Sequence, residues 1–235
     1  MIPPPQSRWA PLRRLAARLR NRLRDLLTRN SPEQLAKRRI DREFDSRFGV
    51  DTGGVTYLSG LEIDSHRRRH GVNHWAMDPG EMEAALGSLA IDHARFTFVD
   101  FGSGKGRAML MASLLPFRRI VGVEFAPELH RQAVLNIRRF QHPGQRCHNL
   151  EAVCMDAATY ELPDEPLVVF LYNPFGAEVM REVANNVVES LRKRPRELQV
   201  LYANPFQAEV WLQAGFVQKV RGSTFALFVL PLAEG

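Results

Sequence analysis

The chain of 235 residues contains only two cysteines, Cys147 and Cys154. They lie seven positions apart, a spacing that fits neither a disulfide framework nor a zinc-binding motif. We therefore interpret both as ordinary thiols of a reducing compartment and expect a cytoplasmic protein.

Long apolar runs are also missing. The longest are strand-sized, Leu167–Leu171 and Thr224–Leu230, whereas a membrane-spanning helix needs about 20 apolar residues. This pattern argues against an integral membrane protein. The 16 glycines and 15 prolines are too few for a collagen-like or low-complexity chain. At about 150 residues per domain, the length corresponds to one globular domain with an appendage.

Acidic residues are nearly absent from the first 30 positions, which contain eight arginines and a single acid, Asp25. Because the whole chain has a formal charge of +6, residues 31–235 sum to −1. Between the arginines, apolar residues recur at helical spacing from Leu12 to Leu27. Three interpretations of this basic helix stay open: a solvated helix on the body, a contact with an anionic partner (a lipid surface, RNA or acidic protein), or a targeting segment.

We predict that residues 1–48 form a basic helical extension, in which Asn30-Ser31-Pro32-Glu33 ends one helix and begins the next. Residues 49–74 have no clear periodicity. Three histidines recur there at every fourth position (His66, His70 and His74). A glycine interrupts that stretch and no carboxylate has a matching spacing, so no metal site is predicted.

After Asp78-Pro79 the sequence alternates between helical and strand patterns. The predicted strands are Thr97–Phe101, Ile120–Glu124, Leu150–Met155, Leu167–Tyr172, Leu198–Ala203, Phe216–Val220 and Thr224–Leu230. The helices predicted between them include Met109–Leu115, Pro127–Phe140, Ala177–Leu191 and Gln207–Leu212. This order predicts an α/β fold: a doubly wound, mostly parallel seven-stranded sheet that ends in an antiparallel hairpin, with one antiparallel strand at an edge. In such sheets ligands bind at the carboxyl ends of the strands.

A glycine-rich turn, Gly102-Ser103-Gly104-Lys105-Gly106, follows the first of these strands. Glycines at alternate positions let the backbone pass close under a ligand and expose its N–H groups. A phosphate-binding P-loop is excluded, because Gly106 rather than serine or threonine follows Lys105. The spacing also departs from the dinucleotide motif G-x-G-x-x-G.

Polar residues end the next three strands. Glu124 ends the second, where a carboxylate accepts hydrogen bonds from a ribose diol. Asp156 follows the third, in a position to accept from an adenine amino group. Asn173-Pro174-Phe175 follows the fourth, at the centre of the sheet. A second triplet, Asn204-Pro205-Phe206, follows the fifth, and we interpret it as a turn.

Together these residues resemble the class I S-adenosylmethionine-dependent methyltransferases, over about residues 78–232. The resemblance implies cofactor contacts by Asp100, Gly102, Ser103, Gly104, Gly106, Glu124, Phe125, Asp156 and Asn173. In that family the glycine loop passes under the methionine part of the cofactor and the acid of the second strand holds the ribose. Phe125 would pack on the adenine ring, and Asp156 would meet its edge. Trp75 and Met77 are expected near the cofactor as well.

The resemblance also implies a catalytic role for Asn173, Pro174 and Phe175. In the family's amino-methylating members, an Asn or Asp followed by proline and an aromatic residue accepts a hydrogen bond from the target nitrogen. Those members usually carry four residues with two prolines, so the shorter motif here leaves the methylated atom open.

The sequence therefore predicts that residues 49–235 form a methyltransferase domain that uses S-adenosyl-L-methionine. The acceptor is unidentified, with a protein or small-molecule nitrogen as the candidate. Two alternatives stay open: a nicotinamide-dependent oxidoreductase, since Glu124 suits any ribose diol, and a methyltransferase-like module that binds without turnover.

Overall fold

The computed structural model describes residues 31–56 and 74–231. The chain divides into two compact units, residues 1–40 and 41–235. Of the first unit, the structure describes residues 31–40, which include the first part of helix α1 (Pro32–Phe48). The arginine-rich segment, His66 and His70 lie outside the described residues, as does the side chain of His74.

Helix α1 begins as the sequence predicts. Ser31 Oγ accepts a hydrogen bond from the backbone N–H of Gln34 at 3.3 Å, and Pro32 occupies the first helical position. The serine oxygen satisfies one N–H that the first turn of a helix leaves without a partner, and proline has no N–H there to satisfy.

The elements from Pro79 onward follow the predicted alternation, and two short strands precede them. In chain order they are β1 (Val55–Thr56), β2 (His74–Trp75), α2 (Pro79–Gly87), β3 (Thr97–Phe101), α3 (Arg107–Ala112), β4 (Arg119–Glu124), α4 (Pro127–Arg139), β5 (Leu150–Cys154), β6 (Leu167–Tyr172), α5 (Ala177–Lys193), β7 (Leu198–Ala203), α6 (Ala208–Gln213), β8 (Val217–Arg221) and β9 (Phe225–Val229). Short 3₁₀ helices cover His93–Arg95 and Ala157–Thr159.

Seven strands form one sheet in the order β5-β4-β3-β6-β7-β9-β8. The pairs from β5 to β7 are parallel, and β9 runs antiparallel to both of its neighbours. The predicted sheet and its terminal hairpin are confirmed; β8 forms the edge, and the antiparallel strand β9 lies just inside it. The strand order reverses between β3 and β6, the position at which doubly wound sheets form a ligand crevice.

Helices cover both faces of the sheet. On one face, Phe98 and Phe170 pack in one cluster with Phe44 and with side chains of α2 and α3. On the other, Val99 and Val169 pack with α5 and α6. Successive residues of a strand point to opposite faces, so the apolar runs of β3 and β6 are buried on both sides.

Helix α3 begins and ends earlier than the predicted Met109–Leu115. Gly106 has a left-handed backbone (φ 88°) and caps the helix, so the helix starts at the next residue. From Leu114 onward the backbone N–H groups bond to carbonyls three residues back rather than four, Leu114 to Met111 and Leu115 to Ala112. This tighter turn ends the helix.

Strands β1 and β2 form a two-residue antiparallel pair, in which Val55 lies opposite Trp75. They bound the stretch that has no periodicity in the sequence. A pair this short depends on contacts with the body rather than on a local pattern, so the sequence carries no signal for it.

Cys147 is buried, Cys154 is exposed, and both are free thiols. Among the described helices, none combines the length and the apolar composition needed to cross a bilayer.

Candidate active site

The glycine loop connects the end of β3 to the start of α3. Gly102, Gly104 and Gly106 all have positive φ angles, of 76°, 54° and 88°, a backbone region that side-chain-bearing residues rarely adopt. The N–H of Gly102 bonds to the carbonyl of Val123 at 2.9 Å, and the N–H of Gly106 bonds to the carbonyl of Ser103 at 2.8 Å. The loop is therefore attached to β4 and tightly turned.

The Asn-Pro-Phe turn after β6 lies directly against this loop. A Cβ atom added at Gly102 would lie 2.4 Å from Cβ of Pro174, well inside van der Waals contact. The neighbouring parallel strands β3 and β6 thus bring two motifs together that lie about 70 positions apart in the sequence.

Glu124 ends β4 with its carboxylate turned into the loop. Its side chain is 4% exposed, and Oε2 accepts the N–H of Gly104 at 2.8 Å while Oε1 accepts the N–H of Ala126 at 2.8 Å. Burial raises the pKa of this carboxyl to about 7, although the backbone hydrogen bonds act in the opposite direction. Phe125 N–H also bonds to this carboxylate, which has about four lone pairs and so keeps acceptor capacity for a ligand.

Asp100, on β3, is a second buried carboxyl beside Glu124. Burial and the nearby charge of Glu124 raise the pKa of Asp100 to about 8. Two neighbouring buried acids suit a ligand that brings positive charge.

A cleft opens where these strands end. It encloses about 660 Å³ of space, open solvent at its mouth included. The predicted residues that line it are Trp75, Met77, Asp100, Gly102, Ser103, Glu124, Phe125, Asn173, Pro174 and Phe175. The structure thus brings most of the predicted site together; the role of each residue in binding or catalysis stays a prediction.

Asp156 is not among the residues that line the cleft. Its Oδ1 accepts the N–H of Ala158 at 3.1 Å and caps the 3₁₀ helix Ala157–Thr159. The carboxylate therefore has a local structural role that its position after β5 does not reveal. Its predicted contact with adenine stays a prediction.

Asn173 has a left-handed backbone (φ 42°) and faces a buried tyrosine. The hydroxyl of Tyr202 lies 3.4 Å from Asn173 Oδ1, and burial raises the pKa of that hydroxyl to about 12. Because the hydroxyl also accepts the N–H of Gln207 at 3.3 Å, its own proton is available to the Asn173 carbonyl.

The second triplet, Asn204-Pro205-Phe206, forms a turn at the matching position of β7. Asn204 is also left-handed (φ 48°), and the N–H of Phe206 bonds to its carbonyl at 2.7 Å. Unlike Phe175, which is buried, Phe206 is 75% exposed. The two copies therefore share a backbone shape but not a packing environment.

Sequence reasoning missed Arg107, which lines the cleft and is only 3% exposed. Its partners are Asp41, Thr52 and the carbonyl of Met77. The only sequence signal was an arginine placed directly before the apolar run of α3. Among the described residues, no group of three or more His, Cys, Asp or Glu side chains could hold a metal ion.

The raised pKa of Asp100 predicts how stability depends on pH. The folded protein binds this proton more tightly than the unfolded chain, so the stabilisation is fully present below about pH 4 and is lost as the pH rises toward 8. We expect the variant Asp100→Asn to show a smaller fall in melting temperature between pH 5 and pH 8 than the natural protein. Thermal unfolding measures both proteins, with the exposed-acid variant Glu161→Gln as a control. Equal falls in melting temperature for Asp100→Asn and the natural protein would contradict the raised pKa of Asp100.

Comparison with protein-family models and with curated protein sequences finds no match. Solved structures do match. A candidate RNA methyltransferase from Pyrococcus horikoshii is 14% identical, with 85% of this chain and 98% of that chain covered and a TM-score of 0.53. A predicted N6-adenine-specific DNA methylase from Listeria monocytogenes is also 14% identical, with 66% of this chain covered and a TM-score of 0.51. This chain spans about half (51%) of the Listeria protein.

Proposed function

Since the chain has the fold of the class I S-adenosylmethionine-dependent methyltransferases, we propose that it binds S-adenosyl-L-methionine in this cleft and transfers the methyl group to an acceptor. A fold alone does not decide an activity, so the proposal depends on the site. The observation that carries it is the buried Glu124 carboxylate. Both of its oxygens accept backbone N–H groups, and a carboxylate has further lone pairs that can accept from ribose hydroxyls.

The other residues of the cleft fit the same group. The hydroxyl of Ser103 is buried and has no hydrogen-bond partner within the described part of the chain, so a ligand can supply one. The glycine loop has no Cβ atoms at alternate positions and leaves room for close approach. Trp75 and Phe125 give the cleft aromatic walls for a purine ring.

The bound cofactor supplies a methyl group made electrophilic by its sulfonium sulfur. The chain therefore has to position the cofactor and the acceptor and to stabilise the positive charge of the cofactor. Glu124 would hold the ribose, Asp100 would face the positive charge of the cofactor, and the apolar walls would keep water out. With its Oδ1 oriented by Tyr202, Asn173 would accept a hydrogen bond from the incoming nucleophile.

We propose a nitrogen as the acceptor atom, because a carbonyl oxygen at Asn173 suits an N–H donor. The two similar structures are named for RNA and for adenine in DNA. Nucleic acid therefore joins proteins and small amines among the acceptors to be tested.

The first experiment is a thermal-shift measurement of the full chain with S-adenosylhomocysteine, S-adenosylmethionine, NADH and ATP in parallel. A ligand at 100 times its dissociation constant stabilises a protein by about 2.7 kcal/mol. For a chain of this size we expect the melting temperature to rise by about 5–10 °C with the two methionine-derived ligands only. A shift with NADH alone would indicate an oxidoreductase instead.

The same samples, given cofactor with a labelled methyl group, test the transfer itself. Nucleic acid, protein extract and small amines serve as acceptors. Base-labile label indicates an ester and contradicts the nitrogen proposal. For base-stable label, mass spectrometry of the digested product has to show an N-methyl group, and an O-, S- or C-methyl group would contradict the proposal as well. Cofactor binding without transfer to any acceptor would favour a non-catalytic module.

A further inference from the structure

Arg107 is a buried cation that connects three separate segments of the chain. It is the first residue of α3, directly after the glycine loop. Its Nε donates to Thr52 Oγ1 at 2.8 Å, and its Nη1 donates to Asp41 Oδ1 at 2.5 Å and to the carbonyl of Met77 at 3.2 Å. The guanidinium is planar and has five N–H donors in a fixed fork, which suits these three partners.

The acids around Arg107 also bond to neighbouring groups of the same segment. Asp45 Oδ1 lies 3.6 Å from Nη2 of Arg107 and accepts both the N–H and the hydroxyl of Thr52, at 2.9 and 2.6 Å. Its other oxygen accepts the N–H of Gly53 at 2.8 Å. Two carboxylates face one arginine, which leaves an excess of negative charge. The N–H and O–H groups that donate to Asp45 offset this excess. The arrangement holds residues 41–54, here called the strap, in one shape.

Two further residues fasten the strap to the glycine loop. Lys105 Nζ donates to Asp51 Oδ1 at 2.8 Å and to the carbonyl of Gly53 at 3.0 Å. Asn136 is fully buried, and its Nδ2 donates to the carbonyls of Asp51 and Lys105 at 2.7 and 2.9 Å. The strap and the loop thus share a continuous set of hydrogen bonds.

The strap is in turn connected to one wall of the cleft. It continues into β1, whose Val55 pairs with Trp75 of β2, and Trp75, Ala76 and Met77 line the cleft. Arg107 bonds to the carbonyl of Met77 directly. A substitution of Arg107 is therefore expected to disturb both the strap and the cleft wall formed by Trp75, Ala76 and Met77.

We propose that Arg107 is a positioning residue that holds the strap and the Trp75–Met77 wall in the one arrangement that binds cofactor. The inference rests on the proposed function, because it takes the cleft to be the cofactor site. Arg107 would act on affinity through the wall and the loop, rather than through the chemistry of transfer.

The test compares Arg107→Lys with Arg119→Lys in the full chain. Arg119 pairs with Glu151 near the surface, so its replacement controls for an arginine-to-lysine change outside the cleft. Two quantities are measured below the melting temperature of both proteins: the dissociation constant for S-adenosylhomocysteine, and amide hydrogen exchange of residues 50–54 and 75–77 without ligand. We expect Arg107→Lys to raise the dissociation constant at least tenfold and to speed exchange in both segments, and Arg119→Lys to change neither.

If Arg107→Lys does not fold, the double variant Arg107→Met with Asp41→Asn removes one charge of each sign and carries the same expectation. Unchanged affinity in a folded variant would overturn the proposal, and so would faster exchange in only one of the two segments. If the natural protein itself fails to bind S-adenosylhomocysteine, the proposed function is wrong and the positioning role with it. In that case the exchange data still show whether Arg107 couples the strap to the wall.

Discussion

Replacement of Glu124 by alanine is expected to weaken the binding of S-adenosylhomocysteine by at least about 100-fold. The side chain would supply two hydrogen bonds to the ribose, and a hydrogen bond to a charged group contributes about 1.5–3 kcal/mol. Two such bonds lost together correspond to about a 100-fold change or more, since about 1.4 kcal/mol is a factor of ten. The loss also leaves the N–H groups of Gly104 and Ala126 without their acceptor, so the loop itself becomes less ordered.

Isothermal titration with S-adenosylhomocysteine measures this effect directly. Glu161→Ala removes an exposed acid from another part of the same unit and serves as the control. A folded Glu124→Ala protein that binds within threefold of the natural one would rule out the ribose contact and remove the main support for the cofactor site.

The variant Gly102→Ala is expected to lose both stability and ligand binding. The residue has a φ angle of 76°, and an added Cβ would lie 2.4 Å from Cβ of Pro174. A left-handed backbone costs a side-chain-bearing residue about 1–2 kcal/mol, and the contact with proline adds to this because the ring cannot turn away. The Asn-Pro-Phe turn would have to move, and the cleft would change shape with it.

Gly49→Ala is a matched control for this experiment. Gly49 also has a positive φ angle, of 66°, but an added Cβ there meets nothing within 4 Å. Thermal unfolding should therefore show a small fall in melting temperature for Gly49→Ala and a fall at least about 5 °C larger for Gly102→Ala. Equal falls would mean that backbone strain alone matters and that the loop and the turn do not press on each other.

The sheet was predictable because its signals are local. The apolar runs of β3 and β6 are buried on both faces, and such strands read as continuous hydrophobic stretches. The turn glycines and Ser31 act within a few residues of their own position. For the same reason, Glu124 and Asn173 could be assigned to the ends of their strands and so to one edge of the sheet.

The arrangement around Arg107 was not predictable, because its contacts join residues far apart in the chain. Asp41 lies 66 positions from Arg107, and Thr52 lies 55 positions away. A charged residue before a helix is ordinarily solvated, and no pattern in the sequence says that this one is buried. Asp156 shows the converse, since its place after a strand suggested a ligand contact and the structure gives its carboxylate a capping role.

The sequence by itself determined the order of strands and helices, the glycine loop and the residues that end each strand, since these depend on periodicity and backbone conformation over a few positions. Only the tertiary structure decided which of those residues face the cleft and how the strap is held against the loop. Those features depend on burial. Burial raises the pKa of Asp100 and Glu124, and it removes Arg107 from water, so that the guanidinium bonds to protein groups instead. Burial is a property of the packed chain as a whole, and no local stretch of residues carries it.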